Sequence, residues 1–167
     1  MSKGLDRLGR IRLVAFDIDG VFTDGRFYLS DDGVETKAFH TQDGYGVRRL
    51  LDSGVEVAVI SGRRSGAVEK RMQELDVRHV LLGCKDKVAA FDELVASLGI
   101  EPVDCAFVGD DMPDLPLLQH VGLSIAVTNA VQAVQEHCEY ITRTPGGFGA
   151  VREVCDLVVG ARSGGDE

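Results

Sequence analysis

The chain alternates between short apolar runs and longer segments whose apolar residues recur at helical spacing. Nearly continuous apolar runs predict strands that a parallel sheet buries on both faces, because such strands have no side that faces solvent. These runs are residues 12–16, 55–61, 79–82, 104–108, 123–127 and 140–142. Apolar residues three and four apart predict helices at residues 45–53, 66–75, 86–98, 115–120, 131–137 and 149–159. Strands and helices in alternation predict a doubly wound α/β fold with a mostly parallel sheet.

One stretch near the N-terminus interrupts this alternation. Residues 26–30 and 34–40 flank Asp31-Asp32-Gly33, whose turn chemistry predicts a β-hairpin inserted at about 26–40. At the other end, the tail at about 145–167 begins with a glycine-rich segment, and we expect its last residues, 162–167, to be frayed.

Composition limits the class of protein. A chain of 167 residues that is 44% apolar is long enough for one well-packed domain, which we expect over residues 1–167. The net charge of −9 argues against partners such as nucleic acid or a membrane surface, because these require a basic face. The acidity does not exclude an anionic substrate, since a site can be locally positive or can use a metal.

Cysteine usage and hydropathy bear on the compartment. The cysteines lie far apart and show neither zinc-site nor disulfide spacing, so we expect buried thiols in a reducing environment. No apolar segment approaches the roughly 20 residues of a membrane span, and no signal-peptide pattern is present. We therefore expect a cytoplasmic protein.

Polar side chains stand where three of the predicted strands end. Asp17, Ser61 and Asp110 each close an apolar run, and the carboxyl ends of parallel strands meet at one edge of the sheet. In the sequence DIDG, Asp17 is a candidate nucleophile and Asp19 a candidate general acid and base, because phosphoryl transfer can divide these roles between paired carboxylates. The motif alone leaves open that the two acids only cap a loop.

Two further segments supply groups that bind phosphate. Ser61 offers a hydroxyl and Gly62 a nearby amide, ahead of the positive end of a predicted helix, although a plain turn between strand and helix has the same sequence. Lys87 would offset clustered negative charge, with Lys85 as a competitor and a solvated lysine as the simpler interpretation.

The sequence GDDMPD supplies oxygen ligands of the kind that Mg²⁺ prefers. Asp110 would meet Asp17 and the backbone carbonyl of Asp19 across one ion, with Asp111 and Asp114 in support. Pro116 makes Asp114 equally a candidate N-cap, since proline favours the first turn of a helix.

These motifs, in this order, resemble those of the haloacid dehalogenase superfamily of phosphohydrolases. The stretches VAFDIDGVFTDG, ISGRRSGAVEKR, GDDMPDLPLL and GGFGAVREVCDLVV are similar to the 3-deoxy-D-manno-octulosonate 8-phosphate (KDO 8-phosphate) phosphatases. The resemblance, over about residues 13–159, implies a Rossmann-like fold and hydrolysis of this sugar phosphate through an aspartyl-phosphate, in lipopolysaccharide precursor synthesis. It implies that Asp17 and Asp19 are catalytic, that Ser61 and Lys87 hold the phosphate, and that Lys87 is preferred over Lys85.

The resemblance also sets the expectations for substrate contacts. Beyond Lys87, the candidate substrate-binding residues are Thr23, Gly62, Arg63, Gly147 and Arg152. Gln42 and Phe148 stand where arginine is common in the family, which is a departure from its pattern. A related group that acts on nine-carbon sugar-acid 9-phosphates tends to carry glutamate at the position of Arg63, so the eight-carbon substrate is favoured.

Many members of the superfamily close the site with a cap domain, for which this chain has no room between its motifs. The related phosphatases are tetramers in which the C-terminal segment reaches a neighbouring site, and Gly146–Gly149 is a candidate for that role. A plain loop is the alternative for the segment. For the whole protein, two rival hypotheses are a silent oligomerising domain of this fold and a broad phosphomonoesterase.

Overall fold

The apolar runs form the strands of a six-stranded sheet in the computed structural model, which describes residues 5–164. A separate pair of strands forms the hairpin. In chain order the strands are β1 (Leu13–Phe16), β2 (Tyr28–Leu29), β3 (Glu35–Thr36), β4 (Glu56–Ser61), β5 (His79–Leu82), β6 (Cys105–Gly109), β7 (Leu123–Ala126) and β8 (Tyr140–Ile141). The α-helices are α1 (Thr41–Asp52), α2 (Gly66–Glu74), α3 (Lys87–Leu98), α4 (Leu115–Leu118), α5 (Gln132–Gln135) and α6 (Ala150–Ser163).

The strand order of the large sheet creates a crevice at its centre. The order is β5-β4-β1-β6-β7-β8, and every neighbouring pair is parallel. The chain moves outward on one side from β1 to β4 and β5, and then returns to β6 on the other side of β1. Such a reversal is where open α/β sheets bind ligands, beyond the carboxyl ends of the strands. The predicted doubly wound α/β fold is confirmed.

Burial follows the position of each strand in the sheet. The central strands β1 and β6 are buried throughout, whereas the edge strand β5 is half-buried. Helices cover the central strands, and α1 and α6 pack closely on each other. At this contact Gly46 leaves little room for a side chain, because an added Cβ would lie 3.1 Å from the Cα of Arg152. None of the helices formed by residues 5–164 combines the length and the apolar character that crossing a bilayer requires.

Several predicted boundaries were wrong. The arms of the hairpin pair over only two residues each, and α1 begins at Thr41 because the His40 ring accepts a hydrogen bond from the Gln42 amide. The first turn of α1 is polar, so it carries none of the apolar spacing on which the prediction relied. Of the cysteines, Cys84 and Cys138 are half-buried and not fully buried.

The end of the chain also differs from the prediction. Helix α6 continues to Ser163, and the Arg162 guanidinium donates a hydrogen bond of 3.0 Å to the carbonyl of Ile11. This contact anchors the last turn, so the expectation of a frayed tail was wrong for Arg162 and Ser163. The last three residues of the predicted frayed tail, 165–167, lie outside the described residues.

Candidate active site

Three central strands deliver polar side chains to one cleft. Asp17 follows β1, Ser61 ends β4 and Asp110 follows β6, and these strands are neighbours in the sheet. The cleft has a volume of about 340 Å³. It is lined by Asp17, Asp19, Gly25, Ser61, Gly62, Arg63, Cys84, Lys85, Lys87, Asp110, Asp111, Pro113 and Asp114.

A cluster of three carboxylates lies at the base of this cleft. Asp17, Asp110 and Asp114 each place one oxygen within 4.8 Å of the others. Asp114, which the sequence analysis assigned to a supporting position, is a full member of the cluster. The side chain of Asp19 lies outside it and forms other contacts, described below.

Two glycines make this close approach of the carboxylates possible. Gly20 has a φ of +88°, and an added Cβ would lie 1.9 Å from an oxygen of Asp110. At Gly109, an added Cβ would lie 2.7 Å from the Cβ of Asp114. Any side chain at either position would therefore push a carboxylate out of the cluster.

Asp114 is held by the backbone of its own motif, where its side chain and that of Asp111 form a capping box for the single 3-10 turn at Met112–Asp114. Its Oδ2 accepts hydrogen bonds from the amides of Asp110 at 3.0 Å and Asp111 at 3.3 Å. Although it occupies the N-cap position of α4, its side chain caps no amide of that helix. Asp111 lies outside the carboxylate cluster and accepts a hydrogen bond from the Met112 amide.

Lys87 is the cation that faces the cluster. Its Nζ lies 3.1 Å from Asp17 and 2.6 Å from Asp114, and its side chain is buried. Burial by itself would lower the pKa of Lys87, but the two carboxylates outweigh it and raise that pKa. The lysine therefore stays charged.

The single lysine leaves the cluster with excess negative charge. Burial, together with the neighbouring Asp114, raises the pKa of Asp17 to about 7 despite the presence of Lys87. Burial and the charges of Asp17 and Asp114 raise the pKa of Asp110 to about 9. Three carboxylates against one lysine leave a formal charge of −2, which a divalent cation would neutralise. The donor set consists of hard oxygen ligands, which suit Mg²⁺.

The segment after β4 forms the wall of the cleft. Ser61 is buried, and its hydroxyl lies 3.4 Å from the Arg63 amide. Gly62 and Arg63 are exposed at the rim. Thr23, a predicted substrate contact, does not line the cleft: its hydroxyl accepts hydrogen bonds from the amides of Gly20 and Gly25 and so shapes the loop after β1.

Lys37 is a site residue that the sequence analysis missed. It follows β3 in the hairpin, its side chain is 1% exposed, and it forms an ion pair with Asp19. No motif surrounds it, and only the folding of the hairpin over the loop after β1 brings it to Asp19. The sequence did contain an indication of a second residue that was missed, Asn129. It comes shortly after the apolar strand β7, as Asp17 and Asp110 come after β1 and β6.

The predicted tail contacts lie outside the cleft in this chain. Gly146 donates a hydrogen bond of 2.6 Å to Asn129, whose amide group donates in turn to the carbonyl of Gly20. The Gly147 amide donates to the carbonyl of Val21. The glycine segment is therefore packed against the loop after β1, and only Phe148, which is 58% exposed, projects from it.

Arg152 also lies away from the cleft. Its guanidinium forms an ion pair with Asp156 and stacks on the ring of Tyr45, 5.0 Å from the ring centroid. Its amide donates a hydrogen bond to the buried Asp43 of α1. The contacts with Tyr45 and Asp43 fasten α6 to α1.

Comparison with known proteins identifies the family. Residues 83–153 match the model of the haloacid dehalogenase-like hydrolases. The KDO 8-phosphate phosphatase of Escherichia coli K12 is 46% identical over 157 residues, which are 94% of this chain and 84% of that protein. The chain belongs to the KDO 8-phosphate phosphatase family. As a member of this family, it is a phosphatase.

Solved structures of the family show what related proteins bind. The KDO 8-phosphate phosphatase of Moraxella catarrhalis was crystallised with a magnesium ion, a phosphate ion and a KDO molecule. It is 41% identical, with a TM-score of 0.95 over 99% of this chain and 95% of that one. The cobalt-bound enzyme of Haemophilus influenzae is 36% identical, with a TM-score of 0.91 over 94% of this chain and 92% of that one.

Proposed function

We propose that the protein hydrolyses KDO 8-phosphate to KDO and inorganic phosphate with Mg²⁺ as cofactor, in the synthesis of lipopolysaccharide precursors. One observation carries the proposal: Asp17, Asp110 and Asp114 form a buried cluster beside Lys87, in the crevice of the sheet. A cytoplasmic location remains a prediction.

Asp17 is the proposed nucleophile. Its carboxylate attacks phosphorus, and a bond to the phosphoryl group forms as the bond to the sugar oxygen breaks. Asp19 donates a proton to the departing sugar oxygen and then removes one from the water that hydrolyses the aspartyl-phosphate. Lys87 lies 3.1 Å from Asp17, close enough for its ammonium to pair with the transferring phosphoryl group.

Mg²⁺ would be held by Asp17 and Asp110, with Asp114 beside them and the carbonyl of Asp19 as a further oxygen ligand. When bound, the ion neutralises charge on the phosphoryl oxygens and relieves the repulsion between the carboxylates. Ser61 and Gly62 would bind phosphoryl oxygens through the hydroxyl and the amide, and Arg63 stands at the rim where the sugar would lie.

Residues 5–164 form no cap domain over the site, and we propose that other copies of the chain supply the cover. Supporting this proposal, the hairpin exposes large apolar side chains, with Tyr28, Leu29 and Val34 each more than half exposed. Isolated soluble domains seldom leave such a patch in water. A tetramer, as the family resemblance implies, would bury this surface.

Phosphate release from three substrates tests the proposed function. We expect KDO 8-phosphate to be turned over with a higher kcat/KM than a nine-carbon sugar-acid 9-phosphate or p-nitrophenyl phosphate, with Mg²⁺ required and chelator inhibitory. Asp17→Asn should abolish turnover while the protein stays folded, because an amide is not a nucleophile here. A variant that retained a tenth of the parent kcat would contradict the covalent role. A higher kcat/KM for the nine-carbon substrate would assign that sugar acid as the substrate and leave the proposed reaction unchanged.

A further inference from the structure

The hairpin places a buried ion pair against Asp19. Lys37 contacts Asp19 and lies 3.5 Å from Glu35, and its side chain is almost fully removed from water. Glu35 also pairs with Arg63, whose Nε lies 4.0 Å from the second oxygen of Asp19. The Arg63 guanidinium stacks on Phe27, 4.3 Å from the ring centroid. Asp19 thus lies between two cations, Lys37 and Arg63, and Glu35 of the hairpin pairs with both of them.

The pairing of the two hairpin strands does not require the burial of Lys37. A buried ammonium is unfavourable unless it is paired, and a buried ion pair contributes little to stability relative to apolar side chains of similar size. Strands β2 and β3 pair without any contribution from the Lys37 side chain. The lysine instead extends to a carboxylate that faces the cleft, where the orientation of an acid decides whether it reaches the leaving oxygen.

We infer that Lys37 is a positioning residue for the acid–base step. It fixes one oxygen of the Asp19 carboxylate so that the other, on the side of Arg63, faces the leaving group, and the Glu35–Arg63 pair holds Lys37 in place. This inference deepens the proposed function and rests on it, since Asp19 must be the acid and base for its orientation to matter.

The experiment compares leaving groups. p-Nitrophenolate departs without protonation, whereas a sugar alkoxide requires an acid, whose contribution is about 10²–10⁴-fold in rate. Both substrates are compared by kcat/KM, which reports phosphoryl transfer to Asp17 and excludes the later hydrolysis of the intermediate. We expect Lys37→Met to lower kcat/KM for the sugar phosphate about 10–100-fold, because it misplaces the acid without removing it, and for p-nitrophenyl phosphate about threefold or less.

Three further variants test whether Lys37 positions Asp19 or only stabilises the fold. Lys37→Arg retains the charge and should recover most of the activity on the sugar phosphate. Lys70→Met, an exposed lysine of α2 outside the cleft, makes the same chemical change and should leave both substrates unaffected. The double variant Lys37→Met/Asp19→Asn should be no slower than Asp19→Asn, because a residue that acts through Asp19 has no effect once Asp19 is removed.

The outcomes distinguish this inference from the proposed function. If Asp19→Asn slows the sugar phosphate selectively but Lys37→Met slows both substrates equally or neither, the positioning role is overturned and the role of Asp19 stands. Additive losses in the double variant overturn it as well. If Asp19→Asn shows no selectivity, the acid role fails and the inference fails with it. Should Lys37→Met not fold, Glu35→Gln tests the same network, and an unchanged selectivity there overturns the inference.

Discussion

At the scale of single residues, the main feature of the site is the repulsion between its buried carboxylates. Asp110 packs against Gly20 and Asp114 against Gly109, and one oxygen of each lies within 4.8 Å of the other and of an oxygen of Asp17. Burial and mutual repulsion raise the pKa values of Asp17 and Asp110, so the metal-free site favours protons or a cation. Functional sites commonly keep such unfavourable arrangements at a cost in stability.

Removal of one carboxylate should therefore stabilise the metal-free protein. In the presence of chelator we expect Asp110→Asn to raise Tm by about 2–4 °C, which corresponds to about 1 kcal/mol in a chain of this size. The same variant should lose the increase in Tm that Mg²⁺ gives the parent. Differential scanning fluorimetry measures both effects.

The matched control for that variant is Asp92→Asn, which changes an exposed acid paired with His120. We expect it to alter the free energy of unfolding by less than about 0.5 kcal/mol, as surface substitutions usually do. Asp110→Asn with the Mg²⁺ dependence of the parent would show that Asp110 is not a ligand.

The same carboxylates predict how stability depends on pH. Folding raises the pKa of Asp17 from 3.8 to about 7 and that of Asp110 from 3.8 to about 9. The folded state then binds more protons than the unfolded state between these values, so the metal-free protein loses stability as pH rises from about 4 to about 9. Urea unfolding with chelator at several pH values measures this slope, which Asp110→Asn should reduce. A metal-free protein that gained stability across that interval would contradict the prediction.

At the scale of elements, the loop after β1 is clamped by the segment before α6. Gly146 packs on the carbonyl of Gly20, Gly147 bonds to Val21, and Asn129 joins the two segments. Truncation before Gly146 would remove the buried face of α6, and Gly147→Pro would remove a backbone hydrogen bond to this loop. Both changes would remove contacts to the loop that carries Asp19. A loss of activity in either variant would therefore not show whether the tail reaches a neighbouring site.

Substitution of Gly146 should damage the site through this clamp. An added Cβ would lie 1.8 Å from the carbonyl oxygen of Gly20, a backbone atom that has to move. We expect Gly146→Ala to cost about 1–3 kcal/mol, as overpacking does, and to lower kcat for the sugar phosphate. Chemical denaturation and steady-state kinetics measure the two effects.

Gly160→Ala is the control for this substitution. Gly160 lies in α6 with open space around it, and alanine is favoured over glycine in a helix by up to about 1 kcal/mol. It should be neutral or stabilising. A Gly146→Ala variant as stable and active as Gly160→Ala would show that the clamp is unimportant. Phe148→Ala then tests the reach of the tail, since its exposed ring contributes little to the fold.

At the scale of the whole molecule, the hairpin joins two surfaces. One side carries Lys37, with Glu35 beside it, to the carboxylate of Asp19, and the other exposes apolar side chains to solvent. A partner copy that covered the exposed side would also hold the network around Asp19 in place. Assembly and activity should therefore depend on each other.

Placing a charge on the hairpin should separate the copies. We expect Leu29→Asp to convert the proposed oligomer to smaller species and to lower kcat/KM for the sugar phosphate more than for p-nitrophenyl phosphate. Light scattering coupled to size-exclusion chromatography measures the mass. Val103→Asp changes an exposed valine outside the hairpin and should leave the mass unchanged. A parent protein that ran as a monomer with full activity would refute the proposed cover.

The local pattern of the sequence was sufficient to predict the fold and the polar residues that the strand ends deliver to the cleft. Continuous apolar runs indicate strands buried on both faces, and the polar residue that ends each run lies at the edge where parallel strands terminate. Asp17, Ser61 and Asp110 could be predicted in this way because strand formation and strand direction depend on neighbours in the sequence. The first turn of α1 and the last turn of α6 could not, because contacts of His40 and Arg162 fix them.

Tertiary structure alone decided which side chains meet across the cleft. Asp114 enters the carboxylate cluster because Gly109 leaves space for it, and Lys37 reaches Asp19 because the hairpin folds over the loop after β1. Gly146 lies against Gly20 because α6 packs on α1 and directs the preceding segment there. Each of these contacts joins residues from different elements, so it depends on how the elements pack and not on the propensity of any one segment.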